Sequence, residues 1–330
     1  MSPVRLTRAT AKSVCVIVVA ATLTLMVPGL TRVARKPAGG HQHGQPSLAE
    51  RLGYPKTAKL LIIHADDLGL AHSVDAASWK ALETGSVNSA SVMVPCPWFS
   101  EAAEYAQAHP DADLGLHLVL TSEWAAYHWG PVLSIGRVRS LLNRDGYLYP
   151  TEEEAAKHID PAEAELEIRA QVERALAFGM RPTHLDSHMG TLIQNRPLLE
   201  VYLRAGHDYH LPLRLTREVA DRPEAAGLLT PSDIVIDREI TITPDVQASG
   251  WADFYRTSLK TLGAGVTEFV IHLAYDDSEM RAITVNHPDW GAAWRRRDYD
   301  FFTSEECRKV LQENGIKLIT WREIGRLLKN

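Results

Sequence analysis

Carboxylates and imidazoles stand within or directly after several apolar runs of this 330-residue chain. Two adjacent aspartates, Asp66 and Asp67, follow the run KLLIIH. His117 lies inside the segment GLHLVL, and His272 lies inside EFVIHL. The densest group is THLDSH, which ends at His188. Asp and His are the side chains that bind divalent cations and transfer protons in hydrolytic sites, so these residue types indicate a metal-dependent hydrolase.

Each of these residues also has a plain structural interpretation. Asp66 or Asp67 fits the N-cap of the helix expected to begin near Ser73. A single His in an apolar strand is most often a hydrogen-bonded core residue. Burying two adjacent carboxylates, however, costs several kcal/mol unless a positive group neutralises them. That cost, together with the several strand histidines, favours a metal ion at this place.

Short apolar runs alternate with amphipathic helical stretches from residue 59 onward. The first three strands are expected at 59–64, 87–94 and 113–120, with helices at 73–84 and 99–108. This alternation predicts βαβ units and a parallel sheet. No composition break follows residue 58, so the pattern indicates one α/β domain with a barrel-like sheet.

The carboxyl ends of such strands would bring the polar residues together, because parallel α/β sheets place their sites at that edge. One aspartate with His117 and His188 supplies three ligands and leaves open positions for water. The other aspartate, Asp66, could deprotonate that water, and His272 could protonate a leaving group.

The motifs HADDLG, GLHLVLT and RPTHLDSH, in this order, resemble those of the YdjC-like carbohydrate deacetylase family. The resemblance extends from about Lys59 to Leu328. It implies an α/β fold, a (β/α) barrel of the glycoside hydrolase/deacetylase type, in a single domain at 58–330. It also implies a metal-dependent hydrolase that removes acetyl groups from N-acetylated amino sugars such as chito-oligosaccharides.

The family resemblance also implies roles for particular residues. Asp67, His117 and His188 would bind one divalent metal ion, zinc or magnesium. Asp66 would be the general base, and His272 would be the general acid. The partner of the site would be an acetylated amino sugar or oligosaccharide.

Departures from the family pattern bear on the substrate more than on the chemistry. His64 stands where Asn is usual, and Leu68 stands where Phe is usual. The segment 286–300 has no counterpart that can be assigned. Two alternatives therefore stay open: a barrel that binds carbohydrate without turnover, and an O-acetyl esterase or another metal hydrolase on the same fold.

Further residues are expected to support the site. Asp186 shares a strand face with His188, and we expect it to orient a metal-bound His, whereas His184 is expected to be structural. The run Arg295–Arg297 is expected to be solvated, unless one member binds an anionic group or pairs with Asp298. Four loop tryptophans are candidates for stacking on sugar rings: Trp124, Trp129, Trp290 and Trp294.

Residues 1–36 combine basic residues with the apolar run SVCVIVVAATLTLMVPGL, which is typical of a signal peptide or a membrane anchor. Residues 37–57 are rich in Gly, Pro and His, and this composition predicts a linker. We therefore expect an exported protein that is periplasmic, extracellular or membrane-anchored, in which Cys96 and Cys307 either pair or stay free. The net charge of −6 argues against nucleic-acid binding.

Overall fold

A parallel sheet of seven strands forms the centre of the structure, a computed structural model that describes residues 46–328. The strands are β1 (Lys59–Leu68), β2 (Ser89–Val92), β3 (Leu114–Leu118), β4 (Leu185–Ser187), β5 (Arg238–Thr241), β6 (Gly265–His272) and β7 (Ile316–Leu318). Their order is β4-β3-β2-β1-β6-β5, and β7 pairs with the start of β1. The central strand β1 is almost wholly buried, which explains its continuous apolar run.

Helices connect and cover these strands. They are α1 (Leu48–Arg51), α2 (His72–Thr84), α3 (Phe99–Ala108), α4 (Glu152–His158), α5 (Pro161–Ala177), α6 (Arg196–Tyr209), α7 (Arg217–Ala220), α8 (Trp251–Lys260), α9 (Ser278–Ile283), α10 (Ala292–Phe302), α11 (Glu305–Glu313) and α12 (Trp321–Gly325). Side-chain caps define several starts: Asp160 accepts from the N–H of Ala162 in α5, and Asn195 accepts from that of Leu198 in α6. Local sequence thus sets the helix boundaries.

The parallel sheet of residues 46–328 supports the α/β fold, but a closed (β/α) barrel is not confirmed. Strands β4 and β5 are its outer members. The chain between them is joined only by two isolated bridges, Leu185–Leu213 and Thr216–Ile236. The segment between β4 and β5 contains Pro212, which has no N–H to donate to a ladder. The described fold is therefore an α/β half-barrel with a parallel sheet.

The folded domain begins earlier than the sequence predicts. Helix α1 falls inside the expected linker 37–57 and starts with a capping box between Ser47 and Glu50. Leu48 is buried in the same apolar cluster as Trp321. The second half of the expected linker is therefore part of the domain.

The two cysteines of the described domain are unpaired. Cys96 and Cys307 are both buried free thiols, so the alternative of a disulfide between them is wrong. Between residues 46 and 328, no helix is both long and apolar enough to cross a membrane. The expected signal or anchor segment 1–36 lies outside the described residues.

Gly115, in β3, packs so closely on His184 that a larger residue is excluded. A Cβ at this position would lie 2.6 Å from Cδ2 of the buried His184 ring. We expect Gly115→Ala to lower the free energy of unfolding by about 1–3 kcal/mol, because the core cannot yield without strain. Denaturant unfolding measures this change. Gly130→Ala is the matched control, since a Cβ there meets nothing within 4 Å, and equal stability of the two variants would contradict the packing argument.

Candidate metal centre and active site

Three side chains from distant parts of the chain meet at the carboxyl edge of the sheet. Asp67 lies near the end of β1, His117 lies in β3, and His188 directly follows β4. Oδ1 of Asp67 is 3.3 Å from Nε2 of His117 and 3.5 Å from Nδ1 of His188. The two ring nitrogens are 3.2 Å apart. The structure thus brings together the three residues that the family resemblance implies as metal ligands.

An irregularity in β1 lets both adjacent aspartates face the same cavity. In a regular strand, neighbouring side chains point to opposite faces. The register between β1 and β2 shifts between Ala65 and Leu68, as in a bulge. Asp67 there has a φ of 74°, in the left-handed region that Asp tolerates better than most residues. Backbone strain of this kind commonly occurs at functional sites, and here it places Asp66 and Asp67 side by side.

The three side chains fit a divalent cation. One carboxylate oxygen and two imidazole nitrogens lie within 4.8 Å of one another, which is a donor set that zinc prefers. Oδ1 of Asp67 is buried and accepts no hydrogen bond, whereas Oδ2 accepts one from Nη2 of Arg295 at 2.7 Å. An unsatisfied buried carboxylate oxygen between two imidazoles is the expected mark of a cation position.

In His117 and in His188, the ring nitrogen that faces away from Asp67 contacts a carboxylate. Nδ1 of His117 is 2.6 Å from Oδ1 of Asp186, the residue expected to orient a metal-bound His. Nε2 of His188 is 3.0 Å from Oε2 of Glu123. His184 is buried beside them and stacks on Trp321, in keeping with a structural role. The other nitrogen of each ring, Nε2 of His117 and Nδ1 of His188, therefore faces Asp67.

The electrostatics of this cluster favour positive charge. Burial would lower the pKa of His117, but the carboxylates of Asp66 and Asp186 outweigh it and raise the pKa to about 10. Burial likewise opposes protonation of His188, while Glu123 and Asp67 raise its pKa to about 9. The same carboxylates would stabilise a divalent cation, whose binding releases the imidazole protons.

Asp66 lies beside the three ligands and is held in place by an arginine. Oδ2 of Asp66 is 3.6 Å from Nε2 of His117. Arg214 donates to both carboxylate oxygens, at 3.0 and 3.3 Å. Burial would raise the pKa of Asp66, but the charges of Arg214 and His117 hold it below its ordinary value. Asp66 is therefore an ionised acceptor next to the cation position.

His272 lies beside Asp66, because the two residues are partners in the register of the parallel strands β1 and β6. Its backbone N–H donates to Oδ2 of Asp298 at 3.1 Å. Burial lowers the pKa of the His272 ring to about 4; Asp67 opposes this shift, and Arg295 reinforces it. The ring is therefore neutral near pH 7, and it must take up a proton before it can donate one.

One cavity of about 550 Å³, a size suited to a small ligand, is lined by Asp66, Asp67, His117, His188 and His272. Trp124 and Trp290 form part of its wall. Trp129 and Trp294 do not line this cavity, although the sequence suggested contact with sugar. The indole of Trp129 donates to the carbonyl of Thr121, and that of Trp294 stacks on Trp290. Their positions indicate packing behind the wall.

The sequence analysis did not place three charged residues in the site: Arg214, Arg295 and Glu123. Arg295 was expected in a solvated run, yet it is buried and pairs with Asp67, while its neighbour Arg296 stays exposed. Arg214 is the one charged residue in the segment LPLRL, a signal that could have pointed to it. Glu123 lies in the long loop after β3, and no sequence pattern distinguishes it there.

Comparisons with known proteins agree with the motifs. The model of the YdjC-like protein family matches residues 60–313, and the chain belongs to this family, as the motifs predicted. A carbohydrate deacetylase of Thermus thermophilus is 34% identical over 291 residues, 85% of this chain and 99% of the relative. A chitooligosaccharide deacetylase of Serratia marcescens is 29% identical over 280 residues, 81% of this chain and 98% of the relative. A crystal structure of an Enterococcus faecalis protein, whose name describes it as a cellobiose-phosphate cleavage protein, has a similar fold, with a TM-score of 0.68. The two sequences are 26% identical, and the match covers 81% of this chain and 99% of that chain.

Proposed function

We propose that this protein is a metal-dependent hydrolase that removes acetyl groups from N-acetylated amino sugars. The observation that carries the proposal is the convergence of Asp67, His117 and His188 with Asp66 and His272 in one cavity. Relatives named carbohydrate deacetylase and chitooligosaccharide deacetylase support this reaction class. The ligand set favours zinc, with magnesium as the second candidate.

The residues beside the ligands suit the hydrolysis of an amide. A divalent ion held by Asp67, His117 and His188 would polarise the acetyl carbonyl and make a bound water more acidic. The ionised carboxylate of Asp66 accepts the proton of the attacking water. Two hydrogen bonds from Arg214 fix the orientation of that carboxylate.

His272 lies on the strand next to that of Asp66 and lines the same cavity, from where it serves the leaving group. Its ring is neutral at rest, so it first receives the proton that Asp66 takes from the water and then passes that proton to the amine nitrogen. The C–N bond then breaks, and acetate and a free amino sugar leave. The proton that water loses thus ends on the amine.

The cavity wall suits a sugar. Trp290 is half-buried and offers apolar surface for a pyranose ring, whereas Trp124 borders the cavity but is only 1% exposed. Glu152 and Glu239 also line the cavity and can accept hydrogen bonds from hydroxyl groups. These features support an acetylated amino sugar or its oligosaccharide as the substrate.

Acetate release from N-acetylglucosamine oligomers tests the proposed activity. We expect zinc- or magnesium-loaded protein to release acetate, and we expect a chelator to lower the rate by more than about 100-fold until the metal is restored. O-acetylated sugars serve as the parallel substrate. Turnover of the esters alone would replace this proposal by an O-acetyl esterase, and tight sugar binding without any acetate release would indicate a binding protein.

We further propose that the protein is exported, through a signal peptide or as a membrane-anchored form. The support is the basic start and the apolar run within residues 1–36. Cell fractionation tests this proposal. Recovery of the uncleaved chain from the cytoplasmic fraction alone would contradict it.

A further inference from the structure

We propose that Glu123 is a positioning residue that fixes the ring of His188 as a metal ligand, an inference that rests on the proposed function. Oε2 of Glu123 is 3.0 Å from Nε2 of His188. The other ring nitrogen, Nδ1, lies 3.5 Å from Oδ1 of Asp67. The ring of His188 thus spans the gap between Glu123 and the cation position.

The chemistry of the two groups determines which nitrogen binds the metal. An ionised carboxylate only accepts hydrogen bonds, so the contact with Glu123 requires the hydrogen of His188 to be on Nε2. A neutral ring carries one N–H, which leaves the lone pair of Nδ1 to face Asp67 and His117. Glu123 therefore selects the tautomer that presents a ligand atom to the site.

The second imidazole is held in the same way but with its nitrogens reversed. Nδ1 of His117 contacts Asp186 at 2.6 Å, and Nε2 faces the cation position. One carboxylate comes from β4, and the other comes from the loop that follows β3. Glu123 thus does for His188 what Asp186 does for His117, and carboxylates that support ligand histidines commonly strengthen metal binding.

Hydrogen bonds and packing fix the start of the loop after β3, which carries Glu123. The backbone N–H of Ser122 donates to the carbonyl of Tyr149 at 2.8 Å, and its hydroxyl accepts from the N–H of Trp129 at 3.1 Å. Trp124, on the other side, is only 1% exposed. Glu123 is fixed between these anchors and lines the cavity. The loop that builds the aromatic wall therefore also completes the support of the metal ligands.

Zinc affinity of the full chain tests this inference without measuring turnover. We expect Glu123→Ala to weaken zinc binding about 10- to 100-fold in a competition titration with a chromogenic chelator. Glu123→Gln should lose less, because its amide oxygen still accepts the Nε2 hydrogen. Glu101→Ala is the matched control, since Glu101 contacts Nδ1 of His72 at 2.9 Å outside the cavity, and its zinc affinity should equal that of the wild type.

Nitrogen-15 NMR of the zinc-loaded protein reports on His188 directly. The wild type should show a slowly exchanging Nε2 hydrogen on this residue, and exchange should be faster in Glu123→Ala. Wild-type zinc affinity in folded Glu123→Ala would overturn the inference. A loss in Glu123→Gln as large as in Asp67→Asn would overturn it too, because Glu123 would then be a ligand itself. Zinc binding without acetate release would instead refute the proposed function alone.

Discussion

His117→Ala is expected to lose the bound metal ion and to lower acetate release by more than about 100-fold. The substitution removes one of three protein ligands and leaves an oxygen and a single nitrogen to hold the cation. It also leaves the carboxylate of Asp186 without the imidazole that it contacts at 2.6 Å. Metal content per chain after dialysis, measured together with acetate release, checks this expectation.

His184→Gln is the matched control for that variant. His184 is a buried histidine of the same THLDSH motif, but its ring stacks on Trp321 and is not among the three ligands. We expect this variant to be less stable and to keep a full complement of metal. Retention of metal by His117→Ala, or equal loss in both variants, would contradict the assignment of His117.

Asp66→Asn is expected to keep the metal and to lose roughly 100-fold or more in rate. The amide has nearly the same shape as the carboxylate, but it cannot accept a proton from water. Asp66 lies outside the proposed ligand set of Asp67, His117 and His188, so metal content should not change. The rate constant and the metal content, both measured at saturating metal, separate a role in proton transfer from a role in binding.

Asp113→Asn tests whether any buried aspartate would give the same result. Asp113 is buried directly before β3 and accepts the backbone N–H groups of Trp321 and Arg322 at 2.9 and 2.8 Å. It lies outside the cavity that holds the proposed site. We expect its variant to lose stability but to turn over at close to the wild-type rate. Full activity of Asp66→Asn would reject Asp66 as the base.

The main residues of the site could be predicted because topology brings them together. Asp67 and His117 each belong to an apolar strand, and the carboxyl ends of parallel strands meet at one edge of the sheet. His188 follows a strand that pairs with the strand of His117. Residue type and strand position were therefore sufficient to place these side chains next to one another, and the family resemblance singled out Asp67 rather than Asp66.

The charged partners of the site could not be predicted from local pattern. Arg214 reaches Asp66 across 148 residues, and Arg295 reaches Asp67 across 228 residues. The run of three arginines is indistinguishable from a solvated surface until its helix, α10, is placed against the sheet. There Arg295 stacks over Trp124 and pairs with a buried aspartate, which no spacing rule indicates.

The sequence also could not predict whether the sheet closes into a barrel. The alternation of strands and helices predicts a parallel sheet, but it does not specify whether each short segment forms a ladder. Pro212 interrupts one such segment, and only isolated bridges remain between β4 and the chain before β5. The composition of residues 37–57 likewise predicts a linker, so helix α1, whose Leu48 packs against the domain, was not expected there.

Anomalous scattering at the zinc edge, from crystals of zinc-loaded protein, tests the central claim most directly. We expect one strong peak at about 2.0–2.2 Å from Oδ1 of Asp67, Nε2 of His117 and Nδ1 of His188. A peak held by His64, His184 or Asp186, or no peak near Asp67, would contradict it.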